Sequence, residues 1–415
     1  WNRNHYTNAS RYAIRWELKE DDKVIQSGDL ALSTAPLSQE LVHIPYKKPA
    51  LIPGKEYRLM LHAVLKKDEL WAKAGHEVAW EELELPWSLP CSSEEKAQGV
   101  PSYSLSEKEL VVSGDGFKYV FNRTDGQLTS MVVQDMELLE SPLRLNLWRA
   151  PLANELDNWN ASSARSSNWK EGYEYTVATE MYSAGIDRLT HQPLSFSVSE
   201  TTEGVHIHII DAELMGKGEK EKKDLYIEGV QNNGIINHYE YIINSEGTIE
   251  IRHVLKPEGK MPLWFPRIGL TLTVSDALDQ VKWYGRGPQE NYPDRKTGYP
   301  TGIYASTVQA MYEPYLMPQD YGLRTDVRWL QLTTDKGIGL QFKMNEWFNF
   351  NIYPYSTDNL TKAMYTYQLQ KQKGMTLNLD YATTGVGCTA RGVFGAYKAM
   401  PQEYRRTISI RPMMK

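Results

Sequence analysis

The chain has 415 residues, 41% hydrophobic and 24% charged, with 46 Lys and Arg against 52 Asp and Glu for a formal charge of −6. That length allows roughly two or three domains with at least one large core, and the composition is that of a globular rather than a disordered chain. The acidic balance excludes the concentrated positive surface that nucleic acid or an anionic membrane needs, and no apolar run approaches the ~18 residues of a membrane-spanning helix.

In chain order, residues 1–88 read as short strands between turns. Tyr12–Leu18 alternates, Glu20-Asp-Asp-Lys23 makes a polar hairpin tip, and Val24–Leu30 returns; Glu40–Pro45 alternates again, and Tyr57–Leu65 is a long strand. Trp71–Pro86 is a turn followed by an edge strand, with His76 and Glu77 read as a hydrogen-bonded pair in the turn. Strands at this spacing without helix-length amphipathic segments predict an immunoglobulin-like sandwich. Residues 89–102, with Ser92-Ser-Glu-Glu-Lys96, lack periodicity and read as a linker.

From Tyr103 the strands resume and continue to the end, broken by turns at Asn122–Gly126, Thr202–Val205 and Asn244–Thr248. Asn158–Gly172, with Trp159 and Trp169, reads as an irregular aromatic loop beside Trp148, and Gly216–Lys223 as a solvated insertion. Residues 103–415 therefore predict one large all-β domain, a twisted two-layer sandwich, because so much strand cannot form a single open sheet. There is no Gly-x-Gly-x-x-Gly before a helix and no phosphate loop. His206 and His208 share a strand face, a pattern more common as surface decoration than as a metal site. Cys91 and Cys388 suggest neither a disulfide framework nor a zinc motif, so redox compartment and localisation stay open. Twenty-six Tyr and 12 Trp against 8 Phe favour sheet surfaces and sugar contacts.

The stretch Trp283–Gly298 stands apart. Gly285 and Gly287 free the backbone while Pro288 and Pro293 fix it, and Tyr284 and Tyr292 flank Glu290, Asp294 and Arg295. Aromatics beside carboxylates and an Arg suit a sugar site, but they equally suit a rigid loop that closes a sheet.

Several runs together resemble the C-terminal part of large bacterial beta-galactosidases of glycoside hydrolase family 2. Arg15–Leu18, Gln26–Leu30 and Trp71–Trp80 are similar to that family's fourth, immunoglobulin-like domain. Arg149–Asn154, Gly285–Arg295, Met311–Tyr315, Gly322–Arg324, Leu377–Asp380 and Gly385–Gly387 are similar to its fifth. The resemblance implies a galactose-mutarotase-like β-supersandwich for residues 103–415. It also implies that the catalytic glutamates, with the magnesium and sodium ligands, lie on a (β/α)8 barrel preceding this region, since nothing here alternates strands with amphipathic helices. A chain starting at Trp1 without a targeting segment reads as part of something longer.

On that expectation this portion carries no catalytic residue and no metal. Its partners are the missing N-terminal domains and a galactoside substrate, with a homo-oligomer open. A general acid needs a raised pKa, and the nearby Arg286 and Arg295 would depress Glu290 and Asp294, so these carboxylates are expected to shape the loop. The family's sugar-stacking Trp falls, in a gap-free match, on Gly392. Phe394 and Arg391 are then the candidate substrate contacts at the active-site rim, with Phe394 otherwise an aromatic buried at a strand end. A free-standing carbohydrate-binding module is the alternative, and an aldose epimerase rests on fold likeness alone.

Overall fold

The structure, a computed structural model, describes residues 1–90, 99–156, 178, 181, 184–216, 233–388 and 392–414. Residues 91–98 of the expected linker, the aromatic stretch 158–172, residues 217–223 and Arg391 lie outside the described residues. The chain divides into two compact units, Trp1–Lys96 and Ala97–Lys415. No helix among the described residues is long and apolar enough to cross a membrane.

In the first unit, β1 (Tyr12–Glu20), β2 (Lys23–Leu30), β3 (Tyr57–Leu65) and β4 (Glu77–Leu85) form an antiparallel sheet in the order β2-β1-β3-β4. The alternation of β1 turns Trp16 and Leu18 to one face, where they meet Leu59 in a core that Ile44, Tyr46 and Trp87 help to cover. Each such fully buried side chain contributes roughly 1.5–3 kcal/mol. Gly28 faces Trp16 across the ladder, and a Cβ there would lie 2.8 Å from the indole nitrogen. The expected hairpin tip is present: Asp21, at φ 51°, bonds Lys55 Nζ at 2.5 Å and accepts from the Glu56 amide at 3.1 Å.

Two local expectations fail here. Glu40–Pro45 forms no strand: Leu41 is exposed, Pro45 has no N–H for a ladder, and the main chain of Lys47 instead exchanges hydrogen bonds with the Gln26 side chain at 2.7 and 2.9 Å. His76 and Glu77 do not pair. Glu77, on β4, meets His62 Nδ1 across the ladder at 2.5 Å, while His76 sets its ring edge-on to Trp71.

In the second unit, β5 (Ser102–Leu105), β6 (Glu109–Gly114), β7 (Phe117–Asn122), β8 (Gln127–Val133) and β9 (Met136–Glu137) form a five-stranded sheet. The larger sheet has twelve strands: β10 (Leu139–Asn146), β11 (Thr190–Thr201), β12 (Gly204–Leu214), β13 (Gly234–Ile243), β14 (Ile249–Glu258), β15 (Arg267–Val274), β16 (Gln280–Arg286), β17 (Thr301–Thr307), β18 (Arg324–Thr333), β19 (Gly339–Tyr353), β20 (Met375–Thr383) and β21 (Tyr404–Met413). Its main path runs β10-β15-β20-β19-β21-β14-β13-β12-β11, with β18, β16 and β17 branching from β19. The apolar runs Ile338–Phe342 and Phe348–Ile352 belong largely to the single long β19. Its first half pairs with β21 and its second with β20, and Asn345-Glu346-Trp347 between them is exposed.

One apolar core joins the two sheets. Tyr119, Phe121 and Val133 from the small sheet meet Ile207, Tyr241, Ile251 and Phe342 from the large one, and the Tyr119 hydroxyl donates to Gly247 O at 2.7 Å. The described strands of the second unit thus form a two-layer all-β sandwich.

Candidate functional site

The far face of β15, β19 and β20, turned away from that core, is polar yet dry. Period-2 alternation places Asn349, Asn351 and Tyr353 of β19 opposite Asp380, Asn378 and Thr376 of β20, while β15 contributes Arg267 and β10 contributes Asn146. Arg267 Nη2 meets Asp320 Oδ2 at 3.0 Å, its Nε lies 3.5 Å from Asp380 Oδ2, and its Nη1 donates to Asn351 Oδ1 at 3.3 Å; all three charged side chains are fully buried. Asn351 donates to Asp320 Oδ1 at 3.1 Å, Asn378 to Asn351 Oδ1 at 2.9 Å, and Asn146 to Asn378 Oδ1 at 3.0 Å. The face is closed over by a second apolar cluster, Ala150, Tyr321, Tyr353 and Leu360.

Burial pushes the Asp380 carboxyl up to about 6, against the opposing pull of Arg267. Burial also works against the charge on Arg267, but Asp320 and Asp380 outweigh it and hold its pKa above the ordinary value.

At the end of β20 this face turns into the segment 384–388, which two distant stretches, 149–154 and 294–295, hold by its main chain. Asp294 accepts from the amides of Val386 at 2.9 Å and Gly387 at 2.7 Å. A Cβ on Gly385 would sit 2.4 Å from that carboxylate carbon, so glycine is the residue that allows the approach. Fully buried Arg149 donates to Thr384 O at 2.7 Å and Gly385 O at 3.1 Å, and pairs with Glu155 at 2.7 Å. Asn154 donates to Val386 O at 3.2 Å, and Arg295 reaches Gly387 O at 3.4 Å.

Glu290 serves the neighbouring loop: it accepts from the Gly322 amide at 2.8 Å and from the Tyr315 hydroxyl. Arg286 turns away to Asp326, at 2.7 Å. Glu290 and Asp294 thus face different partners, and each is occupied by hydrogen-bond donors.

Arg391 lies outside the described residues. Phe394 is 68% exposed and leads into the 3-10 turn Gly395–Tyr397, so its reading as an aromatic buried at a strand end is overturned. Gly392 closes the loop by a bridge to Cys388 and sits at φ 63°, a left-handed conformation in which an L side chain is strained. This loop is therefore built for glycine at the position that the resemblance assigns to Trp. Among the other tryptophans, Trp148 is buried and donates to Thr361 Oγ1 at 3.2 Å, while Trp159 and Trp169 lie outside the described residues.

Sequence reasoning found the runs that make the cradle but missed the Arg267–Asp320–Asp380 network beneath it. The available signal was the Asn-x-Asn of β19 beside the Asn-x-Asp of β20.

Comparison with known proteins matches the chain to named families. The family described as beta galactosidase small chain matches residues 113–410, and that described as beta-galactosidase, domain 4, matches residues 1–86. A curated beta-galactosidase from Priestia megaterium is 30% identical over 93% of this chain and 34% of its own length. One from Pseudoalteromonas haloplanktis is 27% identical over 90% of this chain and 33% of its own. The chain spans about a third of the length of these relatives. Among solved structures, a galactose 1-epimerase from Lactobacillus acidophilus has a TM-score of 0.36 and 10% identity, covering 76% of this chain and 98% of that one.

Proposed function

The chain belongs to the beta-galactosidase small-chain family, and from that premise we propose that it is the non-catalytic portion of a retaining beta-galactosidase that hydrolyses terminal β-D-galactosyl residues. Its small unit is a spacer. Its large unit buttresses a catalytic barrel supplied by other domains of the same enzyme, and offers the 384–395 segment to the rim of the active site. The two carboxylates that such hydrolysis needs, one of them with a raised pKa, belong to that barrel on this reading, as do the magnesium and sodium ions. Glu290 and Asp294 serve architecture.

The observation that carries the proposal is the cradle around residues 384–388. Asp294 from one stretch, and Arg149 and Asn154 from another, all direct hydrogen bonds to the main chain of one loop. A loop held by its backbone from two distant stretches keeps its shape, which is what presenting a side chain to a substrate demands. Phe394, exposed just beyond it, is the aromatic face available for a leaving sugar.

The test is to substitute this chain for the matching third of the Priestia megaterium enzyme and compare Phe394 with Phe394→Ala in that hybrid. Loss of an aromatic contact is worth roughly 0.5–1.5 kcal/mol, so KM for lactose is expected to rise about two- to tenfold. An unchanged KM and kcat would remove Phe394 from the rim.

A further inference from the structure

Strands β12 and β13 bring together three side chains that the galactosidase reading does not use. His206 and His208 lie two residues apart on β12 and so project from one face of the sheet. Glu240 stands on β13 directly opposite His208. A ligand atom from each of the three lies within 4.8 Å of the other two. The group belongs to the ladder itself, so adjacent strands fix its spacing and no loop has to fold over to complete it.

The details favour a cation at the centre. His206 Nδ1 and Glu240 Oε1 are 3.0 Å apart, close to the separation of neighbouring donors that each sit about 2.1 Å from one ion. The other ring nitrogen of His206 meets Thr201 Oγ1 at 2.8 Å. A second partner of this kind orients a metal-binding imidazole. Glu240 is steered as well: Arg252 Nη1 holds its second oxygen at 3.1 Å, and Glu250 Oε1 in turn holds Arg252 Nε at 2.9 Å. Glu203 Oε2 lies 3.9 Å from Arg252 Nη2, so three carboxylates surround the one guanidinium and offset its charge. His208 is exposed, which leaves the site open to entry and to water as a further ligand.

In the other acid–histidine group, His191 with Asp211 and Glu213, the Glu213 carboxylate raises His191 to about 9, so the ring itself supplies positive charge at neutral pH. Both ring nitrogens of His191 are engaged, by Glu213 at 2.8 Å and by Asp125 O at 2.7 Å, as a doubly donating imidazolium requires.

We propose that His206, His208 and Glu240 form a binding site for a divalent transition metal of the zinc class on the outer face of β12 and β13. Two imidazoles and one carboxylate suit zinc, cobalt or nickel, and they exclude magnesium and calcium, which take oxygen ligands.

Calorimetric titration of the full chain with Zn2+ at neutral pH, with both Cys91 and Cys388 alkylated so that no thiol can compete, tests this. One ion per chain is expected, with Mg2+ unable to displace it. The variants His208→Ala and Glu240→Gln, both at solvent-accessible positions, are each expected to weaken binding by at least about tenfold. Absence of binding in the parent chain, displacement by Mg2+, or equal binding by the parent and both variants would overturn the proposal.

Discussion

Replacing Arg267 by Met is expected to cost the large unit about 3–5 kcal/mol of stability at pH 8, the usual cost of removing one partner from a buried ion pair. Methionine fills similar space but leaves Asp320 and Asp380 facing each other's charge with no directly paired cation, only the more distant Arg149, under a closed apolar cover. The pH dependence adds a signature. A carboxyl whose folded pKa is raised to about 6 binds its proton more tightly in the folded state than in the unfolded one, near 3.9. Its contribution to stability is therefore greatest at low pH and is lost as pH rises through 6. Without Arg267, Asp380 is raised further, so the deficit of the variant should narrow as pH falls from 8 to 5. Urea unfolding of the large unit at both pH values reads this out; a deficit under about 1 kcal/mol at pH 8 would mean that the network is not held together by charge.

The second large effect is on acid stability. His253 is buried, stacked on Tyr239 at 4.1 Å, bonded through Nε2 to Asn237 Oδ1 at 3.1 Å and through Nδ1 to the Tyr381 hydroxyl at 2.7 Å. Burial, with His238 adding to it, pushes its pKa down to about 3. A depressed value means that the neutral ring is the folded form. The associated stability is complete above the unfolded pKa near 6.5 and is lost as pH falls from there towards 3. Between pH 7 and pH 4 this residue alone should withdraw roughly 3 kcal/mol. His253→Gln retains one donor and one acceptor but does not titrate. The variant is expected to be weaker than the parent at pH 7 and to lose about 3 kcal/mol less on acidification to pH 4. Parallel pH profiles for the two proteins would show that His253 does not drive acid unfolding.

These two groups mark the limit of what the sequence discloses. The clean alternation of β19 and β20 announces strands, and by the usual rule their polar residues face water. Asn351, Asn378 and Asp380 do not, because segments distant in the chain, around Trp148–Leu152 and Gln319–Leu323, cover them. Burial of that kind is a long-range property that no local period records.

Residues Gly287–Arg295 show the complementary case. The run identifies the family, yet its work was hidden, since Asp294 acts on amides 92 and 93 residues away. Every residue but proline carries a backbone N–H, so the receiving end leaves no side-chain signature beyond the glycine at 385. In the same way, His206 and His208 announce a shared face, but register alone brings Glu240 beside them. Phe394 was legible as an aromatic and not as an exposed one, because a following 3-10 turn, rather than a strand, sets its direction.

Hydrolysis of a chromogenic β-galactoside by the purified 415-residue chain tests the central claim most directly. With Glu290 and Asp294 committed to hydrogen bonds from the fold, the chain is expected to show no turnover above the enzyme-free rate, with or without magnesium. Turnover that survives further purification and is abolished by Glu290→Gln or Asp294→Asn would contradict it, and would place the chemistry in this chain.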